Sequence, residues 1–301
     1  MIIHKLNEMF EVLKSKDKKR LIAAYANDAH TIEAVNEAVD RGLIEATLVG
    51  DAETIKNVCR KLNIDEEKFK IVQEANDAKA ASKAVELINN NQGDILMKGL
   101  VNTEKYMKAI LNKEKGLMLP KAILSHVTCM ENPNYHKLLI VGDVAVLPAP
   151  ELHEKVAILN YLVETAHALG IEKPKVAVIS ASENVSPKIP SSVDAAIISK
   201  MADRGQIKGA IVEGPLALDL AIDKESAEIK KMDNPVAGDA DCLLFPNIET
   251  GNVFYKTNTK LANAVLGAFV AGAKVPCILS SRGDSVMTKL YSIALGAMIA
   301  K

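Results

Sequence analysis

Short, nearly continuous apolar runs alternate with longer amphipathic stretches from about residue 46 to the C-terminus, and this alternation limits the possible folds. The runs occupy residues 46–50, 94–99, 122–127, 138–141, 175–180, 209–212, 242–245 and 275–280. A strand with one face in water reads as apolar and polar residues in turn. A run apolar throughout belongs to a strand covered on both faces. Helical patterns fill the intervals at 151–169, 194–203, 252–271 and 285–300. Asp51 is placed as the N-cap of a helix reaching Leu62, and another helix begins at Thr103. The pattern predicts an α/β fold with mainly parallel strands between layers of helices. Asn132-Pro133-Asn134-Tyr135 is turn-forming, and marks either a domain boundary or a hairpin connection.

Aromatic residues make up 4% of the 301 residues and tryptophan is absent, so Ala, Val, Ile and Leu must build the core. The formal charge is -1, from 37 basic and 38 acidic side chains. Such a balance gives no global field to attract nucleic acid or an acidic membrane, and neither partner is expected. Cys59, Cys129, Cys242 and Cys277 are widely separated and form no CxxC pair, which suits free thiols in a reducing compartment. The N-terminus carries no long apolar signal-like segment, and no apolar run is long enough to span a bilayer. A cytoplasmic protein is expected.

Open α/β sheets bind ligands beyond the carboxyl ends of their strands. Four polar turns follow predicted strands: Lys98-Gly99, Glu213-Gly214-Pro215, residues 246–252, and Ser281-Arg282-Gly283-Asp284. In the last, Arg282 offers a planar fork suited to phosphate, Ser281 a hydroxyl donor, and Gly283 room for close approach. Asp284 could accept a proton, and the following helix would turn its positive end toward an anion. The same residues also read as an ordinary strand-to-helix turn capped by Asp284 or Ser285. Asn252 and Thr250 could donate to a ligand or merely cap a helix. Glu213 and Asp219 are paired carboxylates or a cap and a surface charge. Lys98 and Lys108 are anion ligands or solvated lysines, and His126 is a base or a hydrogen-bonded core residue. No HExxH, GxxxxGK[ST] or strand-linked GxGxxG element occurs, so no metal site or nucleotide loop is predicted.

Taken in order, several segments resemble the phosphate acetyltransferase and phosphate butyryltransferase family over most of the chain. They include Asp94-Ile95-Leu96-Met97-Lys98-Gly99, Glu213-Gly214-Pro215-Leu216-Ala217-Leu218-Asp219, Val236-Ala237-Gly238-Asp239-Ala240-Asp241, Gly251-Asn252-Val253-Phe254-Tyr255-Lys256, and Ser281-Arg282 with Leu290-Tyr291-Ser292-Ile293-Ala294. The Lys98-Gly99 and Gly214-Pro215-Leu216 variants are closer to the butyryl branch.

The resemblance implies two α/β domains of the isocitrate/isopropylmalate dehydrogenase-like type, with an active site in the interdomain cleft. The expected domains are 1–118 with 276–301, and 119–275. It also implies reversible exchange between acyl-CoA plus phosphate and acyl phosphate plus CoA. Coenzyme A is then a substrate, no cofactor is tightly bound, and the protein is a homo-oligomer. Ser281 and Arg282 match the family's active-site pair, and Asp284 stands nearest to its catalytic aspartate. Lys98, Asn102, Thr103, Lys108 and Asn252 become substrate-binding candidates. Lys108 occupies a position where the acetyl branch has a phosphate-contacting arginine, without that side chain's bidentate fork. Two other classes remain open: a metal- and nicotinamide-dependent decarboxylating dehydrogenase using Asp219, Asp239 and Asp241, and a non-catalytic CoA-binding regulatory module.

Overall fold

The computed structural model describes residues 1–280 and 283–301. The chain begins with α1 (Glu8–Lys14), β1 (Lys19–Ala24), α2 (Ala29–Asp40), β2 (Ile44–Gly50), α3 (Ala52–Lys61), β3 (Lys70–Gln73), α4 (Asp77–Asn89), β4 (Ile95–Lys98) and α5 (Thr103–Ile110). It continues with β5 (Ser125–Glu131), β6 (Leu139–Gly142), α6 (Leu152–Ala168), β7 (Lys175–Ile179), α7 (Pro190–Asp203), β8 (Ile211–Leu216), α8 (Leu218–Ile222), α9 (Lys224–Ile229), β9 (Cys242–Leu244) and α10 (Ile248–Leu261). The last elements are β10 (Val265–Ala271), β11 (Cys277–Ile278) and α11 (Val286–Ile299). Two compact units result: Met1–Leu6 with Ser125–Val265, and Asn7–Leu124 with Leu266–Lys301.

In the unit that holds the C-terminus, the strands run β3-β2-β1-β4-β11, all parallel, and β10 pairs antiparallel with β11. Every residue of β4 is buried, as are Leu21, Ile22, Ala23 and Ala24 of β1, because helices cover both faces. In the other unit β5 and β6 form an antiparallel hairpin, and β6, β9, β7 and β8 follow in parallel. The turn at 132–135 is therefore a hairpin connection. Its Tyr135 hydroxyl donates to Ala240 O at 2.7 Å. The core of this unit gathers Leu139, Val141, Leu243, Phe245 and Leu220.

Local chemistry starts many of the helices. Asp28, Asp51, Asn76, Asn247 and Ser285 each accept a backbone N–H three residues on, satisfying donors that the helix leaves unpaired. The helix expected over 252–271 stops at Leu261, and Val265–Ala271 is β10 instead. Asn263 stands between them at φ 53, a left-handed turn residue that ends the helical path. An apolar run such as Val265–Ala271 has no helical or strand period of its own, so its place in the sheet decides its form. Three strands, β1, β3 and β10, lie outside the runs read as strands from sequence.

Candidate active site

In the C-terminal unit the parallel strands β1, β4 and β11 end side by side. Lys98, the last residue of β4, is only 3% exposed. Its Nζ donates to Gly99 O at 3.2 Å and to Ser280 O at 3.3 Å. Gly99 N donates to Ala24 O at 2.9 Å and Leu100 N to Tyr25 O at 2.8 Å, so the chain after β4 lies along the end of β1. A Cβ on residue 99 would come within 2.5 Å of Tyr25 O, which is why only glycine fits there.

A second buried lysine meets the same place. Lys289, in the first turns of α11, is 3% exposed and its Nζ donates to Ser280 Oγ at 3.1 Å. Burial lowers the Lys289 ammonium pKa, while Asp284 and Asp28 oppose the shift. Two ammonium groups thus converge on Ser280, one at its carbonyl and one at its hydroxyl. Buried cations are costly unless oxygens or anions surround them, so this strand end suits a phosphate or acyl phosphate.

The candidate residues distribute unevenly around this point. Ser281 and Arg282 lie outside the described residues. Asp284 is half-buried just before α11 and acts electrostatically on Lys289. Ser285, not Asp284, caps α11, accepting from Thr288 N at 3.1 Å. Asn102 caps α5 by accepting from Glu104 N at 2.7 Å, and Thr103 is the exposed first residue of that helix. Lys108 is exposed in the last turn of α5, about 7.5 Å beyond Thr103 along the axis at 1.5 Å per residue. Only Lys98, of the five substrate-binding candidates, joins the buried cluster at Ser280.

The other unit holds Asn252, on α10, whose Nδ2 donates to Val144 O at 3.0 Å and ties the helix to the segment after β6. The same segment is organised by Asp143, which sequence reading passed over. Its buried carboxylate accepts from the backbone N–H groups of His126, Ala145, Val146 and Leu147. His126 is 6% exposed and shares a hydrogen bond between Nδ1 and Thr128 Oγ1 at 3.2 Å. Glu213 accepts from Gly214 N at 3.0 Å.

Asp239 and Asp241 sit at the opposite, amino ends of the strands. Asp239 binds Lys175, Lys137 and His136, and Lys137 also reaches Asp241 at 2.8 Å. Burial disfavours the Asp239 carboxylate, but these hydrogen bonds outweigh it and hold its pKa well below the usual range. Asp219 is exposed on α8, and among the described residues it forms no metal-holding group with Asp239 and Asp241. The four cysteines are buried, and burial pushes the Cys277 thiol up to about 12. Burial raises the Cys59, Cys129 and Cys242 thiols as well, which leaves no ready thiolate nucleophile among the cysteines.

Lys289 is the site residue that sequence reading missed. Its signal was present: it is the one charged side chain in the helix Val286–Ile299. Its meaning depends on which helix face meets Ser280, and that is not written in the local pattern.

Comparison with known proteins places this arrangement. The profile of the phosphate acetyl/butaryl transferase family matches residues 4–84 and 72–297. A phosphate butyryltransferase of Clostridium acetobutylicum is 48% identical over 299 residues, covering 99% of each chain. The crystal structure of a branched-chain phosphotransacylase from Enterococcus faecalis V583 superposes with a TM-score of 0.81 at 32% identity, covering 94% of this chain and all of that one. A 4-hydroxythreonine-4-phosphate dehydrogenase from Klebsiella pneumoniae shares the fold more distantly, with a TM-score of 0.56 at 12% identity, covering 95% of this chain and 100% of its own. These likenesses correct the expected isocitrate/isopropylmalate dehydrogenase-like fold. The α/β class holds, but the fold is that of the phosphotransacylases, related to the 4-hydroxythreonine-4-phosphate dehydrogenases. Alternating strands and helices define the class without defining strand order, so the expected subtype had no physical anchor. The chain is a phosphate acyltransferase and belongs to the phosphate acetyl/butaryl transferase family.

Proposed function

We propose that this phosphate acyltransferase acts on butyryl or a similarly short acyl group, exchanging CoA and phosphate reversibly. The observation that carries the site assignment is the pair of buried lysines on Ser280, immediately before Ser281 and Arg282 in the chain. Similarity to a butyryltransferase over nearly the whole length supports the acyl preference.

In the thioester-forming direction the CoA sulfur attacks the acyl carbon, the carbon–oxygen bond to phosphate breaks, and inorganic phosphate leaves. A thiol of ordinary pKa near ~8.5 is mostly protonated at neutral pH, so a base assists. In this reading Asp284 accepts the thiol proton and returns it to the departing phosphate. Arg282 holds the phosphoryl group by its planar fork, and Ser281 donates to the developing oxyanion, a contribution of ~3 kcal/mol. No enzyme-bound acyl intermediate is needed, in keeping with the buried, unactivated cysteines. Lys98 adds positive charge behind the phosphate, and Asn102, Thr103, Lys108 and Asn252 are the other proposed substrate contacts. A cytoplasmic homo-oligomer that needs no tightly bound cofactor is part of the same reading. Among the described residues no helix is long and apolar enough to cross a membrane.

The test is thioester formation from CoA and a ladder of acetyl, butyryl, isobutyryl and isovaleryl phosphates. The highest kcat/KM is expected with butyryl phosphate. Neighbouring chain lengths should follow within the ~10–200-fold that one methylene allows. Failure to form any thioester would refute the reading, and a maximum at acetyl phosphate would replace its acyl preference.

A further inference from the structure

We propose that Lys289 is a positioning residue for acyl transfer, acting by holding Ser280, the residue that precedes Ser281 and Arg282 in sequence, at the end of β11. The inference rests on the phosphate acyltransferase reading and adds a residue to it.

The geometry is a two-point hold on one residue. Lys98, from β4, donates to the Ser280 carbonyl, and Lys289, from α11, donates to the Ser280 hydroxyl. Ser280 is itself only 5% exposed. Fixing both backbone and side chain removes rotational freedom at the junction from which the next two residues depart. Small displacements there matter, because a shift of ~1 Å in a reacting group costs roughly a hundredfold in rate.

Placement of a charge here is not explained by packing. The rest of α11 is uncharged and its core-facing side is continuous, so a methionine of similar length would fill the space without desolvating an ammonium. The surrounding charges are arranged to retain the cation. Asp284 precedes α11, and Asp28 caps α2, which packs against α11. Asp28 Oδ1 accepts from Thr31 N at 3.0 Å, while its buried Oδ2 has no hydrogen-bond partner among the described residues. That oxygen therefore keeps its negative potential for Lys289 instead of giving it to a neighbouring donor.

The experiment uses the full chain and begins with wild-type thioester formation from butyryl phosphate and CoA. Lys289→Met, Ser280→Ala, the double variant and Lys289→Arg are then compared by kcat, by KM for CoA and by thermal midpoint. Lys289→Met is expected to lower kcat by about 10- to 100-fold, leave the CoA KM within about twofold, and leave the thermal midpoint undiminished. Ser280→Ala should lose a similar factor, the double variant no more than the worse single, and Lys289→Arg should recover part of the loss. A Lys289→Met enzyme with kcat within about twofold of wild type overturns the proposal, as do losses that multiply in the double variant. If Lys289→Met does not fold, Ser280→Ala decides alone, and near-normal turnover overturns the proposal. An inactive wild type against every acyl phosphate sinks the functional reading itself, a result separate from any variant's failure.

Discussion

Replacing Gly99 by alanine perturbs the strand end that holds Lys98. The new Cβ would lie 2.5 Å from Tyr25 O and 2.9 Å from both Ala24 O and Tyr25 C, all main-chain atoms of the neighbouring segment. Carbon and oxygen in contact normally stay about 3.3 Å apart, so the two segments must separate by roughly 0.8 Å. That movement stretches the bonds from Gly99 N to Ala24 O and from Leu100 N to Tyr25 O, now 2.9 and 2.8 Å. Losing each costs about 1 kcal/mol, and overpacking strain adds about 1–3 kcal/mol. The expected destabilisation is therefore about 3–5 kcal/mol. Against an ordinary domain stability of about 5–15 kcal/mol this is a large fraction of the total, well within what urea unfolding resolves.

Urea unfolding of Gly99→Ala against wild type measures the loss, and butyryl-CoA formation measures its effect on the site. Because Gly99 O is one acceptor for Lys98 Nζ, a displacement of this size should also reduce kcat by tens of fold. Gly205→Ala is the control: its Cβ meets nothing within 4 Å, and it carries only the backbone cost of φ +72, about 1–2 kcal/mol. A Gly99→Ala protein within about 0.5 kcal/mol of wild type would show that this close approach does not constrain the strand end as argued.

Arg282→Ala should cripple turnover and raise the KM for phosphate, and near-normal kinetics would remove it from the site. Asp143→Asn exchanges one carboxylate oxygen for an amide that faces backbone donors, so a loss of about 2–4 kcal/mol is expected in urea melts. Asp94 is held below the ordinary carboxylate range chiefly by hydrogen bonds from Arg20, against the effect of burial. The unfolded chain therefore binds the proton more readily, and this contribution is full above about pH 4 and lost as pH falls through the depressed folded value. The stability gap between wild type and Asp94→Asn should shrink on going from pH 7 to pH 3, and a constant gap would contradict the ion pair's role. Lys289 runs the other way in charge but not in slope. Burial depresses its folded pKa, so its destabilising cost is full below that value and is relieved as pH rises toward about 10.5. Unfolding free energy measured at rising alkaline pH should fall more steeply for Lys289→Met than for wild type.

Some of this molecule is legible residue by residue. The strands β2, β4, β6, β7 and β9 coincide with apolar runs because a doubly covered strand needs apolar side chains at every position. Asp51 caps α3 where expected, since a side-chain oxygen three residues ahead of an unpaired N–H is a local relation. The ordered motifs were sufficient for the family because they are chemical requirements written along the chain. What depends on neighbours distant in sequence was not legible. Val265–Ala271 is a strand because it takes a place inside the sheet, and the period of its own residues could not decide. Strand order and the fold subtype depend on which elements meet, so alternation gave the α/β class, while the dehydrogenase-like subtype implied by the family resemblance was wrong. Lys289 illustrates the same limit at the scale of one side chain. Its charge in an apolar helix was visible from the start, but only tertiary packing brings its ammonium to Ser280 and joins it there to Lys98.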